Sequence, residues 1–263
     1  MSNINIYHPI IRQYHKGWQP DVPDQRDHEY AKVAKPPAAL PPAVDLRPKD
    51  SPVEDQGQLG SCTANALAGA LQFLEKKDNV PSFTDASRLF IYYNERAVEG
   101  TVASDSGAQI RDGIKTLAKQ GVCPETEWPY DITKFADQPP STCYSDAKKH
   151  LILSYARLTT LQDMKGCLAN GNPFVFGFTV YESFESAQVA QTGIAPMPAA
   201  GEKVLGGHAV MCVGYSDADK RFIVRNSWGP GWGMKGYFTL PYDYVTNGKL
   251  ADDFWTISRA QDL

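Results

Sequence analysis

Long apolar runs are missing from this sequence. None approaches the roughly 20 residues that a membrane-spanning helix requires, so we expect no membrane association. Positive charge is not in excess either, because 26 lysines and arginines face 30 aspartates and glutamates, for a net charge of −4. This balance argues against nucleic acid as a main partner. The first residues carry neither a basic segment nor an apolar stretch, so the sequence predicts no secretory signal.

Cysteine is scarce, and its count of five is odd, so at least one thiol is unpaired within the chain. No cysteine–histidine spacing matches a metal motif, and we expect neither a metal nor another cofactor. Cys123 and Cys143 flank a proline-rich loop and could form a disulfide. Cys167 and Cys212 lie in helical and strand patterns, where we interpret them as small buried hydrophobic residues.

The 263 residues fit one large domain or two small lobes. Apolar periodicity predicts helices early in the chain and strands late, an α+β arrangement. The predicted helices cover 60–75, a segment from 85 to about 93, and 110–119. The predicted strands cover 174–180, 208–215, 222–226 and 236–240.

One cysteine has a distinctive setting. Residues 56–66 read QGQLGSCTANA, so Cys62 follows a glycine-containing turn and opens a helix. The positive end of a helix dipole lowers the pKa of a thiol and favours the reactive thiolate. Far downstream lie GGHAV at 206–210 and RNSWG at 225–229. Cysteine, histidine and asparagine in this order are typical of cysteine proteases.

These motifs resemble those of papain-like cysteine peptidases, in the compact form found in many bacteria, over about 44–257. VDLR at 44–47 is similar to the start of the mature enzymes, and Gln56 precedes Cys62 by the family's spacing for an oxyanion glutamine. The further matches are GY at 214–215, NSWG at 226–229, WG at 232–233 and GY at 236–237.

The resemblance implies a two-lobe α+β fold with the active site in the cleft between the lobes. A helical left lobe would span about 55–130, and an antiparallel, barrel-like right lobe about 150–257. It also implies a monomeric peptidase that acts on proteins or peptides. Two positions depart from the family pattern, where Leu59 replaces a usual cysteine and Thr63 a usual tryptophan. Bacterial relatives resemble this form, so we do not interpret it as an inactive site.

The resemblance also implies a role for each site residue. Cys62 would attack as a thiolate, and His208 would pair with it as an imidazolium and then protonate the leaving amine. Asn226 would orient the histidine ring, and Trp228 would shield their hydrogen bond from water. Gln56 would donate to the oxyanion beside the backbone N–H of Cys62.

Substrate contacts are expected from small residues that let a peptide backbone approach closely. The residues expected to line the cleft are Gly107, Ala108, Gln109, Ile110, Gly206, Gly207, Ala209 and Trp228. Their apolar neighbours favour an apolar or aromatic substrate side chain. The other histidines match no motif, and we expect them at the surface; they are His8, His15, His28 and His150.

Residues 1–40 fall outside the catalytic domain predicted for 41–263. They are rich in proline and charge, and about 40 extended residues reach well over 100 Å at roughly 3.3 Å each. Tyr14 and Trp18 are large groups that a free tail would not favour exposing. The segment is therefore predicted to pack on the catalytic domain and restrict the cleft until it is cut. The alternative is a permanent belt that braces the two lobes.

Other functions remain open alternatives on the same residues. An exopeptidase, or an amidase such as a peptidoglycan hydrolase, would also use cysteine and histidine. A non-catalytic homologue would bind proteins without cleaving them. The Gln56 to Cys62 spacing and the NSWG motif favour the peptidase.

Overall fold

Helices dominate the first half of the described chain. The computed structural model describes residues 14–34, 37, 39–80 and 85–259. In chain order the helices are α1 (Tyr30–Val33), α2 (Cys62–Lys77), α3 (Arg88–Glu99), α4 (Ile110–Lys119), α5 (Ser141–Ala147), α6 (Leu161–Ala169), α7 (Ala187–Thr192) and α8 (Tyr242–Val245), with 3-10 turns at Arg47–Lys49 and Ile132–Lys134. None of the helices in the described ranges combines the length and apolarity needed to cross a bilayer.

Strands dominate the second half. In chain order they are β1 (Trp18–Gln19), β2 (Ala43–Asp45), β3 (Ala108–Gln109), β4 (Ser154–Arg157), β5 (Phe174–Tyr181), β6 (Val204–Ser216), β7 (Arg221–Arg225), β8 (Tyr237–Pro241) and β9 (Ala251–Ser258).

Helix α2 is the centre of the molecule. Every residue from Cys62 to Glu75 is buried, as expected for a helix enclosed on all sides. It packs against α3 and α4 and against β6 of the sheet, so it joins the two halves. Helix α3 begins three residues later than the predicted start at Asp85, because Ser87 caps it by accepting a hydrogen bond from Phe90 N–H at 3.1 Å.

The sheet is antiparallel and open. Its order is β4-β9-β5-β6-β7-β8, with β2 also paired to β6, and in the described chain this path does not close into a barrel. Strand β5 lies in the middle with nearly every residue buried. Phe174, Phe176 and Phe178 alternate along it and pack with Phe222 and Phe254 into an aromatic core.

The N-terminal residues pack on both halves. β1 pairs with β3 in parallel, and Tyr30 of α1 is 2% exposed and belongs to the hydrophobic core. Asn170 donates a hydrogen bond to the Tyr30 hydroxyl at 3.1 Å, and Arg157 N–H donates to His28 O at 2.7 Å. The described part of residues 1–40 is therefore integral to the packed structure.

The surface prediction is wrong for His150. This side chain is buried, and its Nδ1 lies 2.6 Å from Glu75 Oε1 near the end of α2. Arg259 donates to the same carboxylate oxygen at 2.5 Å. His150 is therefore buried because its ring nitrogen has a hydrogen-bond partner in Glu75. His28 is exposed, and His8 lies outside the described residues.

Candidate active site

Cys62 is the first residue of α2. The turn before it uses Gly57 in the left-handed region, φ 61°, and Gly60 N–H donates to Asp105 Oδ1 at 3.0 Å. The thiol is fully buried, with hydrogen-bond contacts to the backbone of Ala209, Gly17 and Thr63. It thus lies between the start of the central helix and strand β6.

His208 lies in strand β6, directly before Ala209 in the sequence. Its Nε2 lies 2.8 Å from Asn226 Oδ1, and its Nδ1 has no hydrogen-bond partner among the described residues. The Trp228 ring lies over the imidazole, with centroids 5.0 Å apart and planes 26° apart. The asparagine can fix the ring while the second nitrogen stays available for proton transfer.

Gln56 is fixed at both ends of its amide. Its Oε1 accepts a hydrogen bond from Ser227 Oγ at 2.6 Å. Its Nε2 donates to Leu59 O at 2.9 Å and to His15 O at 3.1 Å. The amide N–H group is therefore aimed at a carbonyl of the N-terminal residues.

Residues Tyr14–Gln19, which we call the cleft segment, run over Cys62. Ala108 N–H donates to Gly17 O at 2.7 Å, and β1 then pairs along β3. A Cβ added to Gly107 would lie 2.0 Å from Gly17 O, and one added to Gly17 would lie 1.7 Å from Gly60 O. Glycine on both sides permits this close backbone approach.

Burial shifts the pKa values of both Cys62 and His208. It raises the pKa of the Cys62 thiol to about 11, although backbone hydrogen bonds oppose the shift. It lowers the pKa of His208 to about 4, a direction that the nearby charge of Lys16 supports and the Asn226 hydrogen bond opposes. Both shifts favour the neutral forms of the thiol and the imidazole while the cleft segment covers them.

The model of the papain family cysteine proteases matches residues 40–254. The chain belongs to this family.

Similar proteins agree with the assignment. A crystal structure of xylellain, a cysteine protease from Xylella fastidiosa, superposes with a TM-score of 0.86 at 47% identity, covering 93% of this chain and 96% of that one. An uncharacterized peptidase C1-like protein of Acanthamoeba polyphaga mimivirus is 51% identical over 79% of this chain and 70% of its own. Bovine (Bos taurus) pro-cathepsin H is 30% identical over 76% of this chain and 59% of its own. The α+β papain fold and a cysteine-type peptidase follow, with protein or peptide substrates.

Most of the predicted substrate-binding residues of this papain-family chain contact the cleft segment. Gly207 faces Trp18, and a Cβ on Gly206 would lie 3.0 Å from the Lys16 side chain. Gln109 Oε1 accepts a hydrogen bond from Val22 N–H at 3.2 Å. Ile110 is buried in the core at the start of α4.

Sequence reasoning missed Asp105 and Asp253. Asp105 binds Gly60 N–H, lies 2.5 Å from His15 Nδ1, and accepts a hydrogen bond from the Tyr92 hydroxyl. Asp253 lies in β9, and its carboxylate accepts a hydrogen bond from the Trp18 indole at 3.1 Å. Asp253 is a polar residue within β9, the last strand of the described chain, and nothing in the neighbouring sequence indicates that it lies beside the cleft.

All five cysteines of this papain-family chain are free and buried. Cys123 and Cys143, which could have paired, are hydrogen-bonded thiols. Their sulfurs and a carboxylate oxygen of the exposed Glu127 lie within 4.8 Å of one another, a set that could hold a metal ion. The sequence spacing did not indicate this grouping.

Proposed function

We propose that this papain-family chain is a latent cysteine peptidase, with Cys62 as nucleophile, His208 as general acid and base, and the cleft segment as its blocking element. The observation that carries the proposal is a pair of hydrogen bonds on the cleft segment, from Ala108 N–H to Gly17 O and from Gln56 Nε2 to His15 O. They support a cleft that binds a peptide main chain directly beside the thiol.

In the uncovered enzyme, the Cys62 thiol transfers its proton to His208, because water returns to both groups and the charged pair regains solvation. The thiolate attacks the peptide carbonyl carbon, and the oxyanion accepts hydrogen bonds from Gln56 Nε2 and the Cys62 backbone N–H. His208 gives its proton to the leaving amine. Water, deprotonated by His208, then hydrolyses the thioester and restores Cys62. Asn226 holds the ring throughout.

The cleft segment opposes each of these steps. It excludes substrate, occupies the Gln56 donor and keeps water from the thiol and the imidazole, which raises the pKa of Cys62 and lowers that of His208. The relative named as a pro-cathepsin is by its name a proenzyme, which supports latency here.

The residues that follow favour a second, structural role. In Asp21–Tyr30, which we call the anchor segment, Asp21 Oδ2 accepts a hydrogen bond from the buried Trp255 indole at 2.8 Å, and Tyr30 is in the core. Arg111 binds Asp27 at 3.0 Å. We propose that the anchor segment is a permanent belt, so that only the cleft segment must leave for activity.

A cut between the two segments tests the proposal. A specific-protease site inserted between Gln19 and Pro20, both exposed, is cut after folding, and the released residues are removed by gel filtration. Peptide hydrolysis should be low in the intact chain, at least tenfold higher after the cut, and lost in Cys62→Ala. Equal activity before and after the cut would contradict latency. Activity that survives in the cut Cys62→Ala chain would contradict the nucleophile.

A further inference from the structure

Trp18 lies in a pocket whose walls are glycines. A Cβ added to Gly177 would lie 1.9 Å from the indole ring, and one added to Gly207 would lie 2.7 Å from it. Any larger residue at either position would overlap the ring. The pocket therefore has the size of a bulky side chain because β5 and β6 carry glycine at these points.

The pocket ends at a buried carboxylate. Asp253 is 0% exposed, and its Oδ2 accepts hydrogen bonds from Trp18 Nε1–H at 3.1 Å and from Asp21 N–H at 2.8 Å. Its Oδ1 accepts from Arg157 at 2.9 Å. The Asp253 backbone is left-handed, φ 59°, a conformation that asparagine and aspartate tolerate better than most residues. Burying a carboxylate is costly unless donors reach it, so a vacated pocket favours an occupant that supplies an N–H group.

The pocket adjoins the nucleophile. Trp18 directly follows Gly17, whose backbone contacts the Cys62 thiol and whose carbonyl is held by Ala108 N–H. A side chain that enters this pocket therefore belongs to a peptide whose main chain crosses Cys62. When the cleft segment leaves, Asp253 Oδ2 keeps the Asp21 donor and loses the indole donor.

We infer that the Trp18 pocket selects substrates by a large side chain that ends in an N–H donor, tryptophan or arginine, and that Asp253 determines this specificity. The inference rests on the proposed function. It departs from the apolar preference that the neighbouring residues suggested, because the end of the pocket is a carboxylate. Phenylalanine and leucine fill the space but leave the carboxylate oxygen without its donor, which costs about one hydrogen bond to a charged group.

The intact chain tests the chemistry of the pocket without requiring hydrolysis. The rate of Cys62 alkylation by iodoacetamide, followed by mass spectrometry, reports how often the cleft segment opens. Trp18→Arg should stay within about threefold of the native rate. Trp18→Phe and Trp18→Leu should react about tenfold faster, the equivalent of the lost hydrogen bond. A Trp18→Phe rate equal to the native one, or Trp18→Arg as fast as Trp18→Leu, overturns the inference.

Asp253→Asn tests the charge, because its amide oxygen still accepts from an indole but no longer attracts a guanidinium, while its amide nitrogen replaces the oxygen that faced Arg157. In the Trp18→Arg chain, adding Asp253→Asn should raise the Cys62 alkylation rate about tenfold. In the chain with native Trp18, the same substitution should raise the rate only slightly. Asp252→Asn is the matched control, since Asp252 is 54% exposed and also pairs with Arg157. An equal effect of Asp252→Asn would overturn the role of Asp253.

The chain cut between Gln19 and Pro20 tests substrates. Internally quenched peptides are varied among tryptophan, arginine, phenylalanine and leucine at each position around the scissile bond. One position should favour tryptophan or arginine about tenfold in kcat/KM, and Asp253→Asn should abolish the arginine preference only. Equal or better cleavage with phenylalanine or leucine overturns the inference. Failure to hydrolyse any peptide, with the alkylation preferences intact, instead contradicts the proposed peptidase.

Discussion

Tyr14 lies flat on Trp228, with ring centroids 4.5 Å apart and planes 4° apart. The Tyr14 hydroxyl also donates to Trp228 O at 3.1 Å. Because Trp228 in turn lies over His208, the three rings form a layered stack from the cleft segment to the catalytic candidate. The same tryptophan thus contacts both the imidazole of His208 and the cleft segment that we propose to block the cleft.

Loss of this stack should loosen the cleft segment. Stacked aromatic pairs contribute about 0.5–1.5 kcal/mol, so Tyr14→Ala should raise the Cys62 alkylation rate of the intact chain about 2- to 10-fold. Tyr14→Phe keeps the ring and loses only the hydroxyl, so its rate should lie closer to the native one. If Tyr14→Ala reacts at the native rate, the stack does not hold the segment.

Gly17→Ala should release the cleft segment more completely. Its added Cβ would lie 1.7 Å from Gly60 O, a rigid backbone atom, so the segment cannot stay where it is. We expect the intact variant to hydrolyse peptides at a rate close to that of the cut chain. Val22→Ala, at a position 65% exposed, is the matched control and should remain latent. A latent Gly17→Ala chain would show that the segment does not depend on this approach.

Binding of the N-terminal residues should weaken as pH rises. Burial, together with the charge of Asp253, raises the pKa of Asp21 to about 7, so the bound form takes up a proton that the free form, with its ordinary pKa of 3.8, has lost. The contribution of Asp21 is therefore fully present below pH 4 and is lost as pH rises through 7.

The Asp21→Asn chain provides the comparison, because asparagine imitates the protonated acid at every pH. The free energies of unfolding of the native full chain and of its Asp21→Asn variant are measured by urea unfolding between pH 4 and 8. The other titrating groups are common to both chains and largely cancel in the difference. The native chain should lose stability relative to the variant between pH 4 and 7, and a difference that is constant or moves the other way would contradict the prediction.

Thr63 has a structural role in place of the usual tryptophan. Its hydroxyl donates to the buried Glu95 Oε2 at 2.8 Å, and burial raises the pKa of that carboxyl well above its ordinary value. Thr63→Val keeps the shape but removes the donor, so it should lower the free energy of unfolding by about 1–3 kcal/mol. Urea unfolding measures this, with Thr63→Ser as the control that keeps the hydroxyl. Equal stability of the Val and Ser variants would refute the role.

Local patterns predicted the elements that carry their own signals. The helix predicted over 110–119 is observed as Ile110–Lys119, because local sequence signals mark both its apolar face and its ends. The central helix begins at Cys62, two residues after the predicted start, since Gly60 and Ser61 remain in the turn. Strands β1 and β3 are only two residues long and exist through their pairing with each other, which no local pattern reveals.

The sequence indicated which residues form the candidate site, but it did not indicate how their pKa values are shifted. The motifs around Cys62, His208 and Asn226 indicated the set, and the proposed roles remain predictions. The pKa shifts of Cys62 and His208 depend on burial under the cleft segment, whose path is determined by contacts distant in sequence. Asp253 could not be predicted from the sequence either, because only the pairing of β9 with β5 brings it to the Trp18 pocket.

The most direct test of the central claim is the alkylation rate of Cys62 by iodoacetamide near neutral pH, before and after the cut between Gln19 and Pro20. The other four cysteines, which are all buried, serve as internal controls. The account predicts slow labelling of every cysteine in the intact chain and fast labelling of Cys62 alone, by a factor of at least ten, after the cut. Equal Cys62 rates in the two forms, or faster labelling at another cysteine, would contradict it.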